Sequence, residues 1–283
     1  MNTITQLESA DAYCRYLANR HYENFSVTSR ILPADVRVHL TRLYAYCRTT
    51  DDLGDESGSH ALPRLTLWRE QVVQSLQEGP DPIHPVLLAL RRSIASCDLP
   101  PQPLLNLIAA NVQDQTVSEY GTWAELWQYC LLSAAPVGRL VLAVWGIREP
   151  EAQKLSDDVC IGLQLANFAQ DVAVDRMKQR CYLVQADQLD EDPRAAVRSL
   201  CDRAERLLVS GHDLEELVPG PCRVQLALYR LGGMAILSTI RGMDYRTYQT
   251  RPRLSLATKL SLIPVALTES RRSRGHASPQ GAT

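Results

Sequence analysis

The sequence predicts an all-α protein, and two observations lead to that fold class. Nearly every periodic segment repeats its apolar residues at the spacing of a helix, and no run alternates apolar and polar residues well enough for a strand. Of the 283 residues, 45% are hydrophobic and 22% are charged, which is the balance of an ordinary folded protein. We expect one helical domain at residues 1–267 and a disordered, basic and polar tail at 268–283.

Prolines and short proline-rich segments divide the chain into its predicted helices. Pro33, Pro63, Pro85 and Pro103 lie near helix starts, where proline is tolerated, and the segments EGPDP and VPGPC separate elements. Pro136 lies inside a long predicted helix and is expected to kink it. The predicted helices are 5–20, 34–55, 61–78, 84–97, 102–118, 123–146, 150–177, 192–210, 221–248 and 254–266.

Charge and cysteine spacing exclude several classes of function. The formal net charge of -2 gives no reason to expect a nucleic-acid partner, because such proteins carry a concentrated basic surface. The eight cysteines form no CxxC pair and are expected to be reduced and buried. The first residues lack the pattern of a signal peptide, and no stretch approaches the roughly eighteen apolar residues of a membrane span. We therefore expect a cytoplasmic protein.

The helix predicted at 34–55 carries a stripe that begins apolar and ends acidic. Its apolar part consists of Val36, Leu40, Leu43, Tyr44 and Cys47, which fall on one face. Continued along the helix, the same face reaches Arg48, Asp51, Asp52 and Asp55. Asp51 and Asp55 lie one turn apart, where like charges repel, and acids in the last turns of a helix oppose its dipole. We expect a positive group to compensate them.

A second polar face lies on the helix predicted at 150–177. Gln164, Asn167, Asp171 and Asp175 recur at i, i+3, i+7 and i+11, and the residues around them are mostly apolar. Buried carboxylates without partners would be very costly. Each acidic segment taken alone could still be a solvated helix end, but both lie on otherwise apolar faces.

Together, the two acidic faces predict a magnesium site in which they oppose each other across a cavity. Hard oxygen ligands suit Mg²⁺, which keeps waters and is commonly completed by substrate phosphates. Arg48, Lys178 and Arg180 could bind the remaining oxygens of a diphosphate. The sequence contains no Glu-x-x-His pair, HExxH motif, Walker loop or GxGxxG fingerprint, so neither NAD(P)H nor FAD is expected.

Four segments occur in the order and approximate spacing typical of one enzyme family: HYENFSVTSRILP, LYAYCRTTDDLGDE, YCLLSAAPVGRLVL and LQLANFAQDVAVDRMKQRCYL. Over about residues 10–265 the chain resembles the squalene and phytoene synthases, which are head-to-head prenyl synthases with an all-helical isoprenoid-synthase fold around a central cavity. The resemblance implies that magnesium and the diphosphate are held by Asp51, Asp52, Asp55, Asn167, Asp171 and Asp175. It also places Tyr44, Arg48, Gln164 and Tyr182 near the pocket.

The resemblance implies that metal-assisted departure of diphosphate generates a carbocation, which the pocket must protect. Phe25, Tyr44, Tyr129 and Phe168 could present aromatic faces to this cation, or could simply pack the core. For Phe168 we favour packing, because it lies off the face of Asn167 and Asp171. Tyr44, one turn before Arg48, is the stronger functional candidate.

The segment His21 to Phe25, HYENF, distinguishes among the reactions of the family. Condensing members carry a segment like HSKSF there, whose polar residues help to seat a prenyl diphosphate, and here Tyr22 and Asn24 replace the serines. The chain is most similar to the bacterial hydroxysqualene synthases of hopanoid gene sets, which convert presqualene diphosphate and water to hydroxysqualene, a lyase reaction. Presqualene diphosphate synthase and phytoene synthase remain alternatives, as does a catalytically silent lipid-binding scaffold. Other enzymes of squalene formation are possible partners.

The segment RPRLSLATKLSLIPVAL mixes Arg251, Arg253 and Lys259 with many apolar residues. It could lie on the anionic inner face of a membrane, with the following RRSRG adding electrostatic attraction, or it could be the last core helix. We favour the core helix and keep peripheral membrane contact as the alternative.

Overall fold

The computed structural model describes residues 3–20, 31–77, 79–187 and 192–272, and over these ranges the chain forms α-helices and no β-strand. The predicted all-α class is confirmed. The helices are α1 (Thr3–Arg20), α2 (Ala34–Asp55), α3 (Ala61–Ser75), α4 (Pro85–Cys97), α5 (Pro101–Gln113), α6 (Trp123–Ser133), α7 (Ala135–Val144), α8 (Pro150–Met177), α9 (Arg194–Ser210), α10 (Leu214–Leu217), α11 (Gly220–Gly242) and α12 (Leu256–Arg272).

The two helices with acidic faces, α2 and α8, begin and end where the sequence predicts them. The single helix predicted at 123–146 is wrong, because the chain breaks at Ala134 into α6 and α7. Pro136 lies in the first turn of α7, where its missing N–H costs nothing, so it starts a helix rather than kinking one. The short helix α10 was not predicted.

Helix α8 is central and packs against α7, α9 and α11. A Cβ atom on Gly138 of α7 would lie 2.3 Å from the Ser156 Oγ and 2.6 Å from the Cys160 Sγ of α8, so only glycine permits this close approach. All eight cysteines are free, as predicted, and are buried or half-buried. Burial raises the pKa of the Cys160 thiol to about 12, which keeps it protonated at neutral pH.

One described segment, Trp123–Val144, is apolar enough to cross a membrane by length and composition, contrary to the prediction that no segment approaches this limit. Of its most apolar window, 56% is buried inside the protein, and core helices of soluble proteins pass the same test. This segment is α6 and α7, which contribute Leu126, Cys130 and Leu140 to the core.

Helix α12 is fixed to α11 by a buried ion network. Arg230 of α11 donates to Glu215 of α10 at 2.7 Å and also to Glu269 of α12, and Glu215 is fully buried. Ala266 of α12 packs with Val224 of α11. The helix continues to Arg272, past the predicted start of the tail at residue 268, and the rest of that tail lies outside the described residues.

Candidate functional site

The acidic faces of α2 and α8 meet at one cavity of about 340 Å³. The end of α5, Tyr129 and Ser133 of α6, and the loop that follows α8 complete its wall. The polar and aromatic residues that line it are Arg48, Asp51, Asp55, Asn111, Asp114, Tyr129, Ser133, Gln164, Asn167, Phe168, Asp171, Asp175, Lys178, Arg180 and Tyr182. The opposition of the two faces that the sequence predicts is therefore present.

On the α2 side, Asp51 and Asp55 have opposite electrostatic surroundings. Asp51 accepts a hydrogen bond of 3.1 Å from the Asn111 side chain. The Asp51 carboxylate borders the solvent in the cavity, but desolvation by the protein around it raises its pKa to about 6. Burial alone would also raise the pKa of Asp55, but ion pairs of 2.9 Å with Lys178 and 2.8 Å with Arg180 lower it below its usual range. Asp55 is thus held by two ion pairs, whereas Asp51 has only an amide donor and the nearby charge of Arg48.

On the α8 side, Arg251 donates to both carboxylate oxygens of Asp171. Asp175, one turn further on, accepts no side-chain hydrogen bond from the residues that the structure describes. Burial raises the pKa of Asp175 to about 7, and the neighbouring charge of Asp171 adds to the effect. Gln164 and Asn167 continue the same face into the cavity.

The loop after α8 brings two cations to the carboxylates of α2. The Cys181 N–H donates to the Ser118 carbonyl at 2.7 Å, and the Gln185 N–H donates to the Tyr120 carbonyl at 3.0 Å, which fastens this loop to the segment after α5. Lys178 and Arg180 reach Asp55 from that fastened loop. Their position therefore depends on pairing between segments far apart in the chain.

An aromatic cluster forms the wall next to the acids. The rings of Phe168 and Tyr182 stack with centroids 4.0 Å apart and planes inclined by 9°, and Tyr129 lies 5.6 Å from Tyr182. The hydroxyls of Tyr129 and Tyr182 donate to the two oxygens of Asp114, at 2.8 Å and 3.2 Å. Burial raises the pKa of both tyrosines, so these hydroxyls stay protonated and act as donors.

Asp52 and Tyr44 are predicted site residues that are not among the described lining residues of the cavity. Asp52 pairs with Arg48 one turn earlier, and its metal-binding role stays a prediction. Tyr44 is half-buried near Arg48. His21 and Phe25 lie outside the described residues. Phe168 lines the cavity and also stacks on Tyr182. Its position is therefore compatible with both predicted roles, facing a cation and packing the core.

Sequence reasoning missed three residues of the site: Asn111, Asp114 and Arg251. The first two follow Leu104 and Leu107 on one face of α5, which repeats the change from apolar to polar seen on α2. This local pattern indicates both residues. Arg251 stands in the sequence only as a basic residue before α12, and no local pattern connects it with Asp171.

The donor set suits a divalent cation bound together with a diphosphate. Asp51 and Asp175 are carboxylates whose pKa values are raised mainly because the enclosing protein desolvates them, and oxygen donors of this kind are those that Mg²⁺ prefers. The buried Nε of Arg48 has no hydrogen-bond partner among the described residues, so a donor is available for an anion in the same cavity. The residues present therefore fit the predicted magnesium and diphosphate.

The raised pKa values predict that Asp51 and Asp175 contribute less to the stability of the metal-free protein as the pH rises. Between about pH 4 and pH 7 the folded state binds more protons at Asp51 and Asp175 than the unfolded chain does, so their contribution is greatest at low pH and is lost as the pH rises through about 6 and 7. In excess chelator, Asp175→Asn should therefore melt above the wild type near about pH 8 and differ less near about pH 5. A melting difference that does not change with pH contradicts this.

Comparison with known proteins agrees with this geometry. The sequence model of the squalene/phytoene synthase family matches residues 18–258. A phytoene synthase of Arthrospira platensis is 28% identical, over 94% of this chain and 96% of that protein. A hydroxysqualene synthase of Rhodopseudomonas palustris is 36% identical, over 57% of this chain and 54% of that protein. The crystal structure of squalene synthase HpnC from Alicyclobacillus acidocaldarius is 38% identical with a TM-score of 0.78, covering 86% of this chain and 99% of that one. The chain belongs to the squalene/phytoene synthase family.

Proposed function

We propose that this protein is a magnesium-dependent hydroxysqualene synthase, which ionises presqualene diphosphate, rearranges the cation and lets water capture it as hydroxysqualene. Members of the family act on prenyl diphosphates. The observation that carries the proposal is the cavity itself. It combines carboxylates on α2 and α8, cations from the adjoining loops and an aromatic wall in one space.

The carboxylates of the two helices are the proposed metal ligands. Asp51 and Asp55 would contribute from α2, and Asn167, Asp171 and Asp175 would contribute from α8. Bound magnesium would neutralise charge on the departing diphosphate and so favour its ionisation. Arg48, Lys178, Arg180 and Arg251 would bind diphosphate oxygens through their N–H groups.

The aromatic wall is suited to shield a carbocation from premature reaction. The stacked rings of Phe168 and Tyr182 and the adjacent Tyr129 present π-electron density to the cavity, and such contacts are worth about 2 kcal/mol when desolvated. Next to these rings, the Asp114 carboxylate and the two tyrosine hydroxyls that donate to it form a polar patch on the cavity wall. A water molecule held there could reach the cation, as the proposed reaction requires.

The choice of reaction rests on the segment at residues 21–25 and on the relatives. The HYENF segment departs from the HSKSF of condensing enzymes, and the R. palustris relative is named a hydroxysqualene synthase. The A. platensis relative, named a phytoene synthase, favours a condensing prenyltransferase as the second candidate, either phytoene synthase or presqualene diphosphate synthase. A silent lipid-binding scaffold would gain nothing from enclosing acids such as Asp51 and Asp175, whose pKa values are raised by burial.

Parallel assays of presqualene diphosphate and farnesyl diphosphate test the assignment. With magnesium, the purified protein should convert presqualene diphosphate to hydroxysqualene, identified by mass spectrometry, and do little with farnesyl diphosphate alone. Efficient formation of presqualene diphosphate from farnesyl diphosphate would overturn it in favour of the condensing reaction. If neither substrate reacts, and diphosphate with magnesium leaves the melting temperature unchanged, the scaffold alternative is favoured.

A further inference from the structure

The outward face of α12 is largely apolar. Between residues 256 and 268 the one charged residue is Lys259, which is half-buried. Four exposed apolar side chains recur at i, i+4, i+7 and i+11 and so form one stripe: Leu256 (67%), Leu260 (55%), Ile263 (38%) and Leu267 (37%). Val265 (43%) is exposed but lies off this stripe. Scattered exposed leucines are normal on a soluble protein, but a stripe along one helix face is a candidate contact surface.

The side of α12 next to this stripe is already bound to the rest of the protein. Arg230 holds Glu269, Ala266 is fully buried, and the Ser270 carbonyl accepts a hydrogen bond from Arg223 of α11. The helix is therefore fixed with its apolar face outward.

The sequence that follows α12 is too polar to cover the face, and a second copy fits poorly. Residues 273–283, which follow α12, contain no apolar side chain larger than alanine apart from Pro279. A helix of 17 residues is about 25 Å long, and one face about 10 Å wide gives roughly 250 Å², well below the roughly 800 Å² per partner of a stable protein interface. A lipid surface needs no such minimum area, because it takes up an apolar helix face directly.

Basic residues stand at both ends of this face. Arg253 is exposed just before α12, and Arg271 and Arg272 are the last two residues of the helix. The one acid of the helix, Glu269, pairs with Arg230 on the inner side. Positive charge at both ends of an apolar face complements an anionic bilayer. We propose that the outward face of α12 docks this protein onto an anionic membrane surface.

A short stretch of chain connects the docking face with the acidic cavity. The chain reaches Leu256 only five residues after Arg251, which is bound to Asp171 at the acidic site. The carbonyl of Pro252, the residue after Arg251, accepts a hydrogen bond of 2.8 Å from the buried Gln170 side chain of α8. A lipid leaving or entering the cavity beside this loop would therefore be close to the bilayer. The docking face itself does not depend on which prenyl reaction the cavity performs.

Vesicle sedimentation of the full chain tests the proposal. The wild type should sediment with vesicles of phosphatidylglycerol and phosphatidylcholine, more weakly with phosphatidylcholine alone, and less as salt increases. The double variant Leu256→Glu with Leu260→Glu should lose at least about tenfold in binding. A matched control is Leu62→Glu with Leu67→Glu on α3, where the leucines are 42% and 54% exposed. This control should bind like the wild type.

The readouts separate docking from folding, from dimerisation and from catalysis. Circular dichroism and melting temperature should be unchanged in both double variants, and turnover of substrate dispersed in detergent should be retained. Equal binding of the α12 variant and the wild type, or no binding of the wild type to anionic vesicles, would overturn the proposal. So would light scattering that shows a dimer lost only in the α12 variant, which would assign the face to a second copy.

Discussion

Asp171→Asn is expected to reduce turnover about a hundredfold to a thousandfold, the size of effect seen when an enzyme loses one group that stabilises developing charge. The amide keeps the volume of the side chain but not its charge, which removes a proposed metal ligand and weakens the contact with Arg251. Asp51→Asn should lose activity by a similar factor. Because burial raises the pKa of Asp51 to about 6, its neutral replacement should leave the metal-free protein at least as stable as the wild type.

Activity and thermal unfolding should therefore move in opposite directions at Asp51. Steady-state turnover and melting curves, with and without magnesium and diphosphate, measure both effects, and the stabilisation by magnesium with diphosphate should disappear in the variant. Asp202→Asn on α9 is the matched control, since this exposed acid makes only a 3.5 Å ion pair with Arg241. Unchanged turnover in Asp51→Asn and Asp171→Asn would refute the metal-site proposal.

Asp114→Ala is expected to impair both stability and turnover. Without the carboxylate, the hydroxyls of Tyr129 and Tyr182 lose their acceptor inside the protein, at a cost of about 1 to 3 kcal/mol for an unsatisfied buried group. For a chain of this size, about 2 kcal/mol corresponds to a fall of roughly 4 to 8 °C in melting temperature. Turnover should fall further than stability explains, because the aromatic wall loses its orientation.

Two other variants distinguish the carboxylate from the space it fills. Asp114→Asn retains one acceptor oxygen and should lie between Asp114→Ala and the wild type in melting temperature. Adding Tyr129→Phe and Tyr182→Phe to Asp114→Ala removes the donors as well as the acceptor. This triple variant should recover most of the stability that Asp114→Ala loses, but not its turnover. If Asp114→Ala melts like the wild type and turns over normally, this hydrogen-bonded group has no role in the site.

Helix positions were the part of the fold most accessible from sequence. Helix α8 was predicted with its full bounds because Pro150 starts it and its apolar and polar faces keep one period over its whole length. The break at Ala134 was missed, because the apolar residues on both sides of it continue without a polar interruption. Periodicity alone does not tell one buried helix from two in succession.

The site was predictable only where its residues lie on regular helix faces. Asp51 and Asp171 stand out because each continues a face that is otherwise apolar, and a face is a local property of the sequence. The partner of Asp171 is Arg251, which lies in a loop 80 residues later, and only the packing of the chain brings the two together. Asn111, in contrast, lies on a regular face of α5, so the sequence around it is sufficient to predict its position.

The pairing between the loop after α8 and the segment after α5 also determines when the site can exist. Helices form from neighbouring residues, whereas contacts between distant segments must first overcome the entropy of closing a long loop. We expect Lys178 and Arg180 to approach Asp55 only after the Cys181 N–H bonds to the Ser118 carbonyl, and Arg251 to join from a loop 80 residues after Asp171. Helical structure should therefore return early in refolding, while the ability to bind an anion with its metal returns late.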